Sequence, residues 1–376
     1  MEHKKLGDIA TYVNGYAFKP EDRGTKGLPI IRIQDLTGNS YDLGFYNGEY
    51  PKKIELNNGD ILISWSASLG VYEWNRGKAL LNQHIFKAVF DKLDVNKKYF
   101  VFAVKYNLKE MEKRTHGATM KHITKKDFDN VLVPFPPLNK QQEIAATLDK
   151  LQSIITHRRT QLEKLDLLVK ARFVEMFGEP ILNEKGWNMV TIGDIVTEVK
   201  YGTSKLAVEG GKYPYLRMNN LTYDGHLDLT NLKMIDIPDS EIEKCIVHRG
   251  DVLFNRTNSI ELVGKTCVFD KDEDMVIAGY IIRVRLKSIM LPIVLSYFMN
   301  TDALKKKLRN MAKGAVNQAN INAQEFKSIN IYLPPIELQT QFADFVKQVD
   351  KSRVAVQKAL DETQLLFDSL MQEYFG

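Results

Sequence analysis

Two histidines close together in the sequence are candidates for metal binding or acid–base catalysis. His116 precedes the segment GATMKHI at 117–123, and His122 lies within it. An imidazole can bind a metal ion or transfer a proton near neutral pH. A metal site, however, needs further ligands at a suitable spacing, and a general base needs a positioned partner. The sequence around this segment offers neither, so we predict no metal site and no acid–base catalyst here.

Other catalytic signatures are also missing from the sequence. It contains no GxGxxG, GxxxxGK[ST] or HExxH motif, the patterns of dinucleotide, phosphate and catalytic zinc sites. The segment YLPPI at 332–336 lacks the polar residue with which an adenine methyltransferase would hold the amino group of its substrate. Cys245 and Cys267 stand apart from any CxxC pattern, so we expect buried, unreactive thiols. The sequence therefore gives only thin support for an enzyme, and it indicates no cofactor site in this chain.

The composition is that of an ordinary globular protein with two domains. The chain has 376 residues, of which 44% are hydrophobic and 26% charged. It has no apolar run of about 18 residues, so we expect neither membrane insertion nor secretion, and a cytoplasmic location. Residues 1–178 carry 28 Lys and Arg against 21 Asp and Glu, whereas residues 179–376 carry 24 against 26. This modest basic excess is compatible with a polyanionic partner and equally with solvated surface charge.

An internal repeat organises the whole chain. The segment GATMKHI at 117–123 has a counterpart in GAVNQANI at 314–321. Further similar segments follow in the same order, namely LGDI at 6–9 and IGDI at 192–195, LPIIRIQDL at 28–36 and YPYLRMNNL at 213–221, NNGDILIS at 57–64 and HRGDVLFN at 248–255, and the Pro-Pro pairs at 136–137 and 334–335. The chain therefore consists of two homologous halves, each a globular domain followed by a helix.

Short β-branched or aromatic runs between Gly, Asn and Asp predict strands joined by turns in each globular part. After each Pro-Pro pair, apolar residues recur at alternating spacings of four and three, which predicts a coiled-coil seam. We assign domains to 1–138 and 179–336 and long helices to 139–178 and 337–376. The predicted seam residues are Ile144, Leu148, Leu151, Ile155, Leu162, Leu165 and Val169 in the first helix, and Phe342, Val346, Val349, Val356, Leu360, Phe367 and Leu370 in the second.

Two helices with matching stripes in one chain most economically pack on each other. The first helix, if continuous, spans about 55 Å, and the second is expected to return antiparallel, which brings Gly376 near the first domain. The predicted fold is thus α+β, with two homologous globular domains separated by an antiparallel two-helix coiled coil and pseudo-two-fold symmetry. Arg158, Arg172 and Arg353 fall on the seams, where each either sets the register of the helices or extends past the seam edge.

Two copies of one scaffold suit a ligand that repeats along a line, and double-stranded DNA is such a ligand. Polar residues that differ between the copies at equivalent loops could contact base edges, and nearby cations could hold phosphates. The alternatives are that Trp65 belongs to a local core and that the Asn-rich run 317–320 is only a turn. The candidate DNA contacts are Ser64, Trp65, Ser66, Arg76, Gln83, His84, Thr119, Lys121 and His122 in the first half, and Asn255, Arg256, Thr257, Asn258, Tyr280, Lys313, Asn317, Gln318 and Asn320 in the second.

The order LGDI, PIIRI, GDILIS, NQHI, GATMKHI and VPFPPLNKQQEIAATLDKLQ, followed by FGEPILNEKGWNMVTIGDI, resembles the specificity (S) subunit of type I restriction-modification systems. The resemblance covers the whole chain and implies a non-catalytic subunit. It implies two target recognition domains, each reading one part of a split DNA site, and two helices that set the spacing and dock two methyltransferase (M) subunits. It also implies that S-adenosylmethionine binds the methyltransferase partner, and that ATP and Mg bind the restriction (R) partner.

The two copies also depart from each other. The first has no counterpart of Trp187, and the second has GYIIRV where the first has NQHIFK. We expect a bipartite, asymmetric DNA site with an unread spacer of about 5 to 8 base pairs, because half-sites on one face of a duplex lie about one turn apart. Two other hypotheses stay open, a coiled-coil scaffold that binds only proteins and a free-standing enzyme.

Overall fold

The computed structural model describes residues 2–39, 42–114, 123–315 and 318–376. The chain divides into two compact units. Unit 1 comprises Met1–Arg159 and Gln357–Gly376, and unit 2 comprises Thr160–Val356. The boundary therefore falls inside the two longest helices, so that each unit includes a segment of both. The division into four segments by element type remains a prediction.

Unit 1 combines short strands with helices of very different lengths. Its strands are β1 His3–Lys5, β2 Thr11–Asn14, β3 Leu28–Ile31, β4 Phe45–Tyr46, β5 Glu55–Leu56, β6 Asp60–Ser64, β7 Gly70–Trp74, β8 Ala79–Leu81, β9 Ile85–Val89 and β10 Leu132–Pro134. Its helices are α1 Leu6–Ile9, α2 Ile33–Thr37, α3 Lys97–Arg114, α4 Lys125–Asp129 and the first part of α5 Leu138–Phe177.

Two four-stranded sheets form the body of unit 1. One has the order β2-β9-β6-β7 and is antiparallel throughout. The other has the order β4-β3-β8-β5, in which β3 and β8 are parallel. The apolar run of β6 is buried on both faces, since Ile61, Leu62 and Ile63 are each almost inaccessible to solvent. A separate pair, β1 and β10, connects the start of the chain to the strand before α5.

Unit 2 repeats this set of elements. Its strands are β11 Asn188–Thr191, β12 Val196–Tyr201, β13 Tyr213–Leu216, β14 Lys233–Ile235, β15 Ile246–Val247, β16 Val252–Asn255, β17 Thr257–Asn258, β18 Thr266–Val268, β19 Met275–Ile277, β20 Ile281–Leu286, β21 Lys313–Ala315, β22 Gln318–Asn320 and β23 Asn330–Leu333. Its helices are α6 Ile192–Ile195, α7 Asp239–Cys245, α8 Pro292–Met299, α9 Asp302–Met311, α10 Ala323–Lys327 and the first part of α11 Ile336–Phe375.

The sheets of unit 2 have the same topology as those of unit 1. The orders β12-β20-β16-β18 and β14-β13-β19-β15 match the two sheets of unit 1 strand for strand, including the single parallel pair, here β13 with β19. The pair β11 and β23 corresponds to β1 and β10. Unit 2 also has a small antiparallel sheet, β17-β22-β21. The structure thus confirms the α+β class and the repetition of the globular part.

Each long helix begins directly after a Pro-Pro pair and is fixed there by a buried glutamine. The Gln141 side chain donates to the Pro136 carbonyl at 2.9 Å and accepts from the Asn96 amide at 3.0 Å. In unit 2, Gln339 donates to the Pro334 carbonyl at 2.9 Å and accepts from the Leu291 amide at 2.8 Å. Proline cannot continue a helix, so it fixes the start of the helix, and the glutamine satisfies backbone groups that would otherwise be buried without partners.

Within unit 1, α5 and the end of α11 run antiparallel. The Arg158 guanidinium donates to the Ala359 carbonyl and to the Thr363 hydroxyl. The pKa of Lys140 is raised, chiefly by its hydrogen bond to Glu143 and further by the more distant Glu373 carboxylate. Contacts therefore move back along α11 as they move forward along α5. Arg158 reaches the partner helix, which supports its register-setting interpretation.

Within unit 2, the end of α5 and the start of α11 also run antiparallel. The rings of Phe173 and Phe342 lie 5.5 Å apart, and the Arg353 guanidinium forms an ion pair with Asp166. Arg353 thus also bonds across the helix pair. Arg172 pairs with Glu175 on its own helix at 2.9 Å, and its guanidinium also lies 5.8 Å from the ring centroid of Phe345 on α11.

The predicted seam residues are all buried or half-buried. Those that are buried are Ile144, Leu148, Ile155, Val169, Phe342, Val346, Val349, Leu360 and Phe367, and those that are half-buried are Leu151, Leu162, Leu165, Val356 and Leu370. The end of α11 lies in unit 1, where the ring of Phe375 is 5.2 Å from that of Tyr99.

Two further expectations concern membranes and thiols. Among the described residues, no helix is both long and apolar enough to cross a membrane. Cys245 and Cys267 are free and buried, as expected from their isolated positions. Burial raises the pKa of the Cys267 thiol far above its ordinary value, which keeps it protonated and unreactive.

Candidate nucleic-acid interface

In unit 1 the structure brings Trp65 and His84 together at the end of the antiparallel sheet. The Trp65 amide donates to the His84 carbonyl at 3.2 Å, and the two rings lie 5.0 Å apart. The indole also stacks on Phe86 at 5.5 Å. Ile123, the last residue of the GATMKHI segment, donates its amide to the Trp65 carbonyl at 3.0 Å. Three separate loops therefore meet at this point, with Trp65 half-buried between them.

Two of the unit 1 candidates are placed differently from the prediction. The side chain of Ser64 is fully buried, and its hydroxyl donates to the Ser68 carbonyl at 2.6 Å. Ser64 therefore holds the loop together and does not face a ligand. Arg76 is exposed but follows Trp74, which pairs with Asp60 at the opposite end of β6 from Ser64. The length of β6, about 14 Å, thus separates Arg76 from the Trp65 region.

Other unit 1 candidates remain accessible. Gln83 is exposed and Ser66 is half-buried. His84 has a φ of 72°, a left-handed conformation that turns its backbone at the loop. The candidates Thr119, Lys121 and His122, together with Asn317 of the second half, lie outside the described residues.

In unit 2 the small sheet β17-β22-β21 gathers most of the candidates. Thr257 pairs with Asn320, and Asn320 pairs in turn with Lys313. Gln318 lies at the start of β22 and is exposed, and Asn258 ends β17 and is half-buried. Residues that are far apart in the sequence thus form one continuous surface, which the repeat alone could not reveal.

The Arg256 guanidinium is held in a fixed position beside this sheet. It donates to the Asn320 side-chain oxygen at 3.0 Å and to the Gly279 carbonyl at 3.3 Å. It also lies 4.8 Å from the ring centroid of Tyr201, a cation–π contact. The Tyr201 hydroxyl accepts from the Ala323 amide at 2.8 Å, so the ring is itself anchored. Three contacts therefore orient a half-buried arginine before any ligand binds.

Sequence reasoning missed Tyr201. Its counterpart in the first copy is Asn14, and the sequence around Tyr201 gave no signal of a supporting role. Only the pairing of β12 with β20 places this ring under the arginine.

Asn255 and Thr257 are buried and do not face solvent, contrary to their prediction as DNA contacts. The Asn255 amide donates to the carbonyls of Thr257 and Tyr280, both at 3.1 Å. The Thr257 hydroxyl accepts from the Asn320 amide at 2.9 Å. Both residues thus satisfy backbone and side-chain groups under the small sheet, because buried polar groups need hydrogen-bond partners. Tyr280, in contrast, is 49% exposed.

Lys313 carries an exposed ammonium at the edge of the same sheet. Its Nζ lies 2.5 Å from Glu325, on the helix that follows the sheet. The hydrogen bond from Lys313 lowers the pKa of the Glu325 carboxyl, as does the Asn322 amide. The ion pair connects β21 to α10 and leaves the ammonium of Lys313 at the edge of the small sheet.

Asp166, Asp224 and His226 in unit 2 are the kind of grouping that could hold a metal ion, with ligand atoms within 4.8 Å of one another. The Arg353 guanidinium, however, donates to Asp166 and approaches the His226 ring nitrogen at 2.9 Å. Its positive charge already neutralises the Asp166 carboxylate, so the group is a polar network that connects the two long helices to the turn carrying Asp224 and His226. It carries no metal assignment.

The comparison with known families identifies the family of this chain. The model of the type I restriction modification DNA specificity domain matches the chain twice, over residues 1–165 and 184–363. The chain belongs to this family. It is therefore a specificity subunit of a type I restriction-modification system and a non-catalytic component of it, which confirms the resemblance found in its sequence.

Individual relatives agree with this assignment over almost the full length. The chain is 24% identical to the Escherichia coli type I restriction enzyme EcoBI specificity subunit, covering 98% of this chain and 84% of that protein. It is 25% identical to the EcoKI specificity subunit of E. coli K12, covering 98% and 87%. Among solved structures, the S subunit from M. genitalium superimposes with a TM-score of 0.58 at 16% identity, covering 100% of this chain and 96% of that one, which shows the shared fold.

Proposed function

We propose that each unit of this specificity subunit reads one half of a bipartite, asymmetric site on double-stranded DNA. One observation carries the proposal. The two units share their sheet topology, but the exposed groups at equivalent loops differ in chemical type. Unit 1 presents Gln83 next to the Trp65–His84 pair, whereas unit 2 presents a held Arg256 with Tyr280 and Gln318. A constant framework with variable exposed groups suits two different base sequences.

The groups in unit 2 match known modes of base recognition. A guanidinium can donate two hydrogen bonds to the O6 and N7 of guanine, and a glutamine amide can pair with the N6 and N7 of adenine. Arg256 is restrained by Asn320 and Tyr201, so less side-chain freedom is lost when it binds. Lys313, whose side chain is 81% exposed, is placed to attract phosphates, which adds affinity without sequence choice.

The long helices support a second role, the docking of two methyltransferase subunits. Each repeat exposes a Leu-Leu pair at the same position of its helix. Leu167 and Leu168 are 62% and 49% exposed, and Leu365 and Leu366 are 74% and 49% exposed. Paired apolar side chains on the outside of a helix favour contact with another protein. One pair per repeat fits one methyltransferase subunit per repeat.

The proposed complex assigns the cofactors to the partners. S-adenosylmethionine would bind the methyltransferase subunits, and ATP with Mg would bind the restriction subunits. This chain would contribute DNA recognition and assembly, and would act in the cytoplasm, where the chromosome is accessible.

A binding experiment tests DNA readout. The full chain, with its methyltransferase subunits, is titrated against a duplex that carries its methylated motif and against a scrambled duplex, at increasing salt. We expect tighter binding to the motif and a steep loss of affinity with salt. Arg256→Ala should weaken binding to the motif by about 1–3 kcal/mol, because it removes a contact to one base pair. Arg249→Ala is the control, since this exposed arginine pairs with Asp272 elsewhere on unit 2.

The result also separates the alternatives. Equal binding to both duplexes, with little dependence on salt, would contradict the proposal and favour a scaffold that binds only proteins. Methyl transfer to DNA by the isolated chain supplied with S-adenosylmethionine would instead indicate an enzyme.

A further inference from the structure

Both units contain the same close crossing of two backbone segments beside the candidate DNA contacts. In unit 1, the segment after β2 crosses the segment before β9. The Gly15 amide donates to the Ile85 carbonyl at 3.1 Å, and the Tyr16 amide donates to the Leu81 carbonyl at 2.9 Å. The Gln83 amide donates back to the Tyr16 carbonyl at 2.9 Å. The backbone of Tyr16 is therefore fixed on both sides.

Unit 2 repeats the crossing bond for bond. The Gly202 amide donates to the Ile281 carbonyl at 3.2 Å, and the Thr203 amide donates to the Ile277 carbonyl at 2.9 Å. The Gly279 amide donates back to the Thr203 carbonyl at 2.7 Å. The crossing is thus part of the repeated framework.

Only glycine fits at the centre of each crossing. A Cβ on Gly15 would lie 1.9 Å from the Asn82 carbonyl oxygen, and a Cβ on Gly202 would lie 2.1 Å from the Ile277 carbonyl oxygen. Both obstacles are backbone atoms, which cannot move aside as a flexible side chain could. The position of the crossing is therefore rigid in each unit.

One exposed tyrosine lies beside each crossing, but it belongs to a different segment in each unit. Tyr16, 44% exposed, comes from the segment after β2, whereas its counterpart in unit 2 is Thr203. Tyr280, 49% exposed, comes from the segment before β20, whereas its counterpart in unit 1 is His84, whose ring packs on Trp65. Each unit thus carries one exposed tyrosine beside its crossing, on a different one of the two crossing segments.

We infer that Tyr16 contacts DNA in the half-site of unit 1. Tyr16 adjoins the exposed Gln83, to which its carbonyl is bonded, so it shares the proposed reading surface. Its ring lies 5.0 Å from Phe18, which lies 5.1 Å from Tyr46, so a row of aromatic rings supports it from behind. A supported aromatic ring offers a large apolar contact at low entropic cost, suited to stacking on a base or wedging between base steps.

This inference rests on the proposed function, so the test must be able to separate the two. A library of duplexes with randomised sequence is selected for binding to the full chain in complex with its methyltransferase subunits, and the enriched motif is read by sequencing. The variants are Tyr16→Ala, Tyr16→Phe and Tyr280→Ala. Leu132→Ala is the control, since Leu132 is 57% exposed on β10, in a different sheet from the crossing.

Tyr16→Ala should reduce the enrichment of one half of the motif and weaken binding to the wild-type motif about tenfold or more, as expected for loss of an aromatic contact to a base. Tyr280→Ala should do the same to the other half, and Tyr16→Phe should resemble wild type, because the ring and not the hydroxyl makes the contact. A Tyr16→Ala protein that selects the full motif with unchanged affinity would overturn the inference, even if its melting temperature fell. If the wild-type complex itself selects no motif, the proposed function fails as well.

Discussion

Replacing Val169 with Asp tests the helix pairing that underlies the assembly. Val169 is fully buried on α5, in the cluster that also contains Phe173, Phe342 and Val346. The change removes about 1.5 kcal/mol of apolar burial and places a carboxylate where none of its hydrogen bonds with water can form, at a cost of several kcal/mol. The total, about 5 kcal/mol, equals the lower end of the stability of a whole domain. We therefore expect unit 2 to unfold or lose its helix pair.

The neighbouring Leu168 supplies the matched control, because it is 49% exposed. Leu168→Asp adds the same charge one residue away and should change the free energy of unfolding by about 1 kcal/mol or less. Urea denaturation followed by circular dichroism measures both variants, and gel filtration with the methyltransferase subunits measures assembly. We expect Val169→Asp to fail in both assays and Leu168→Asp to fail only in assembly. A Val169→Asp protein with wild-type stability would refute the seam, and normal assembly of Leu168→Asp would refute the docking role of the leucine pair.

Three further changes test separate parts of the structure. Gly15→Ala should destabilise unit 1 by several kcal/mol in thermal denaturation, because its Cβ would overlap a carbonyl oxygen, whereas Gly24→Ala, with its nearest contact at 3.7 Å, should be tolerated. Gln339→Ala should cost about 1–3 kcal/mol, since it leaves buried backbone groups unpaired, and the exposed Gln348→Ala on the same helix should cost almost nothing. Glu325→Gln should lower the melting temperature slightly at pH 7. Because the pKa of Glu325 is lowered in the folded state, the advantage of the wild type should be present above the ordinary carboxyl pKa and disappear as the pH falls through the lowered one.

The repeat and the helices could be predicted because both leave a strong pattern in the sequence. Apolar residues at spacings of four and three define one face of a helix, and the structure places Ile144, Val169 and Phe342 on that face. The proline pairs fix where the helices start, because proline excludes helix before it. The sequence analysis did not single out the buried glutamines Gln141 and Gln339, although they occupy equivalent positions. An isolated polar residue in a helix has the pattern expected of a solvent-exposed position.

The surface proposed to contact DNA could be predicted only in part. Ser64 and Asn255 end equivalent strands and differ between the copies, which predicts variable contacts. In the structure both are buried and hold loops through hydrogen bonds. A difference between the two copies shows that a position tolerates different residues, but it does not show that the side chain there is exposed to solvent. Arg76 lies at the opposite end of β6 from Trp65, and closeness in the sequence to β7 does not show at which end of that strand a side chain lies. The positions of the Tyr16 and Tyr201 side chains depend on which strands pair with each other, and the sequence pattern does not show this pairing.

The most direct test of DNA readout is the pattern of DNA methylation that this chain directs. Genomic DNA is sequenced for methylated adenine in cells that express the chain with its methyltransferase partner, and in the same cells without the chain. We predict one new motif, with two specified blocks of different sequence separated by a gap of fixed length. In cells that express Arg256→Ala, only the block read by unit 2 should change. A continuous motif, or a motif that stays the same when unit 2 is exchanged for that of another specificity subunit, would contradict the proposal that each unit reads one half of the site.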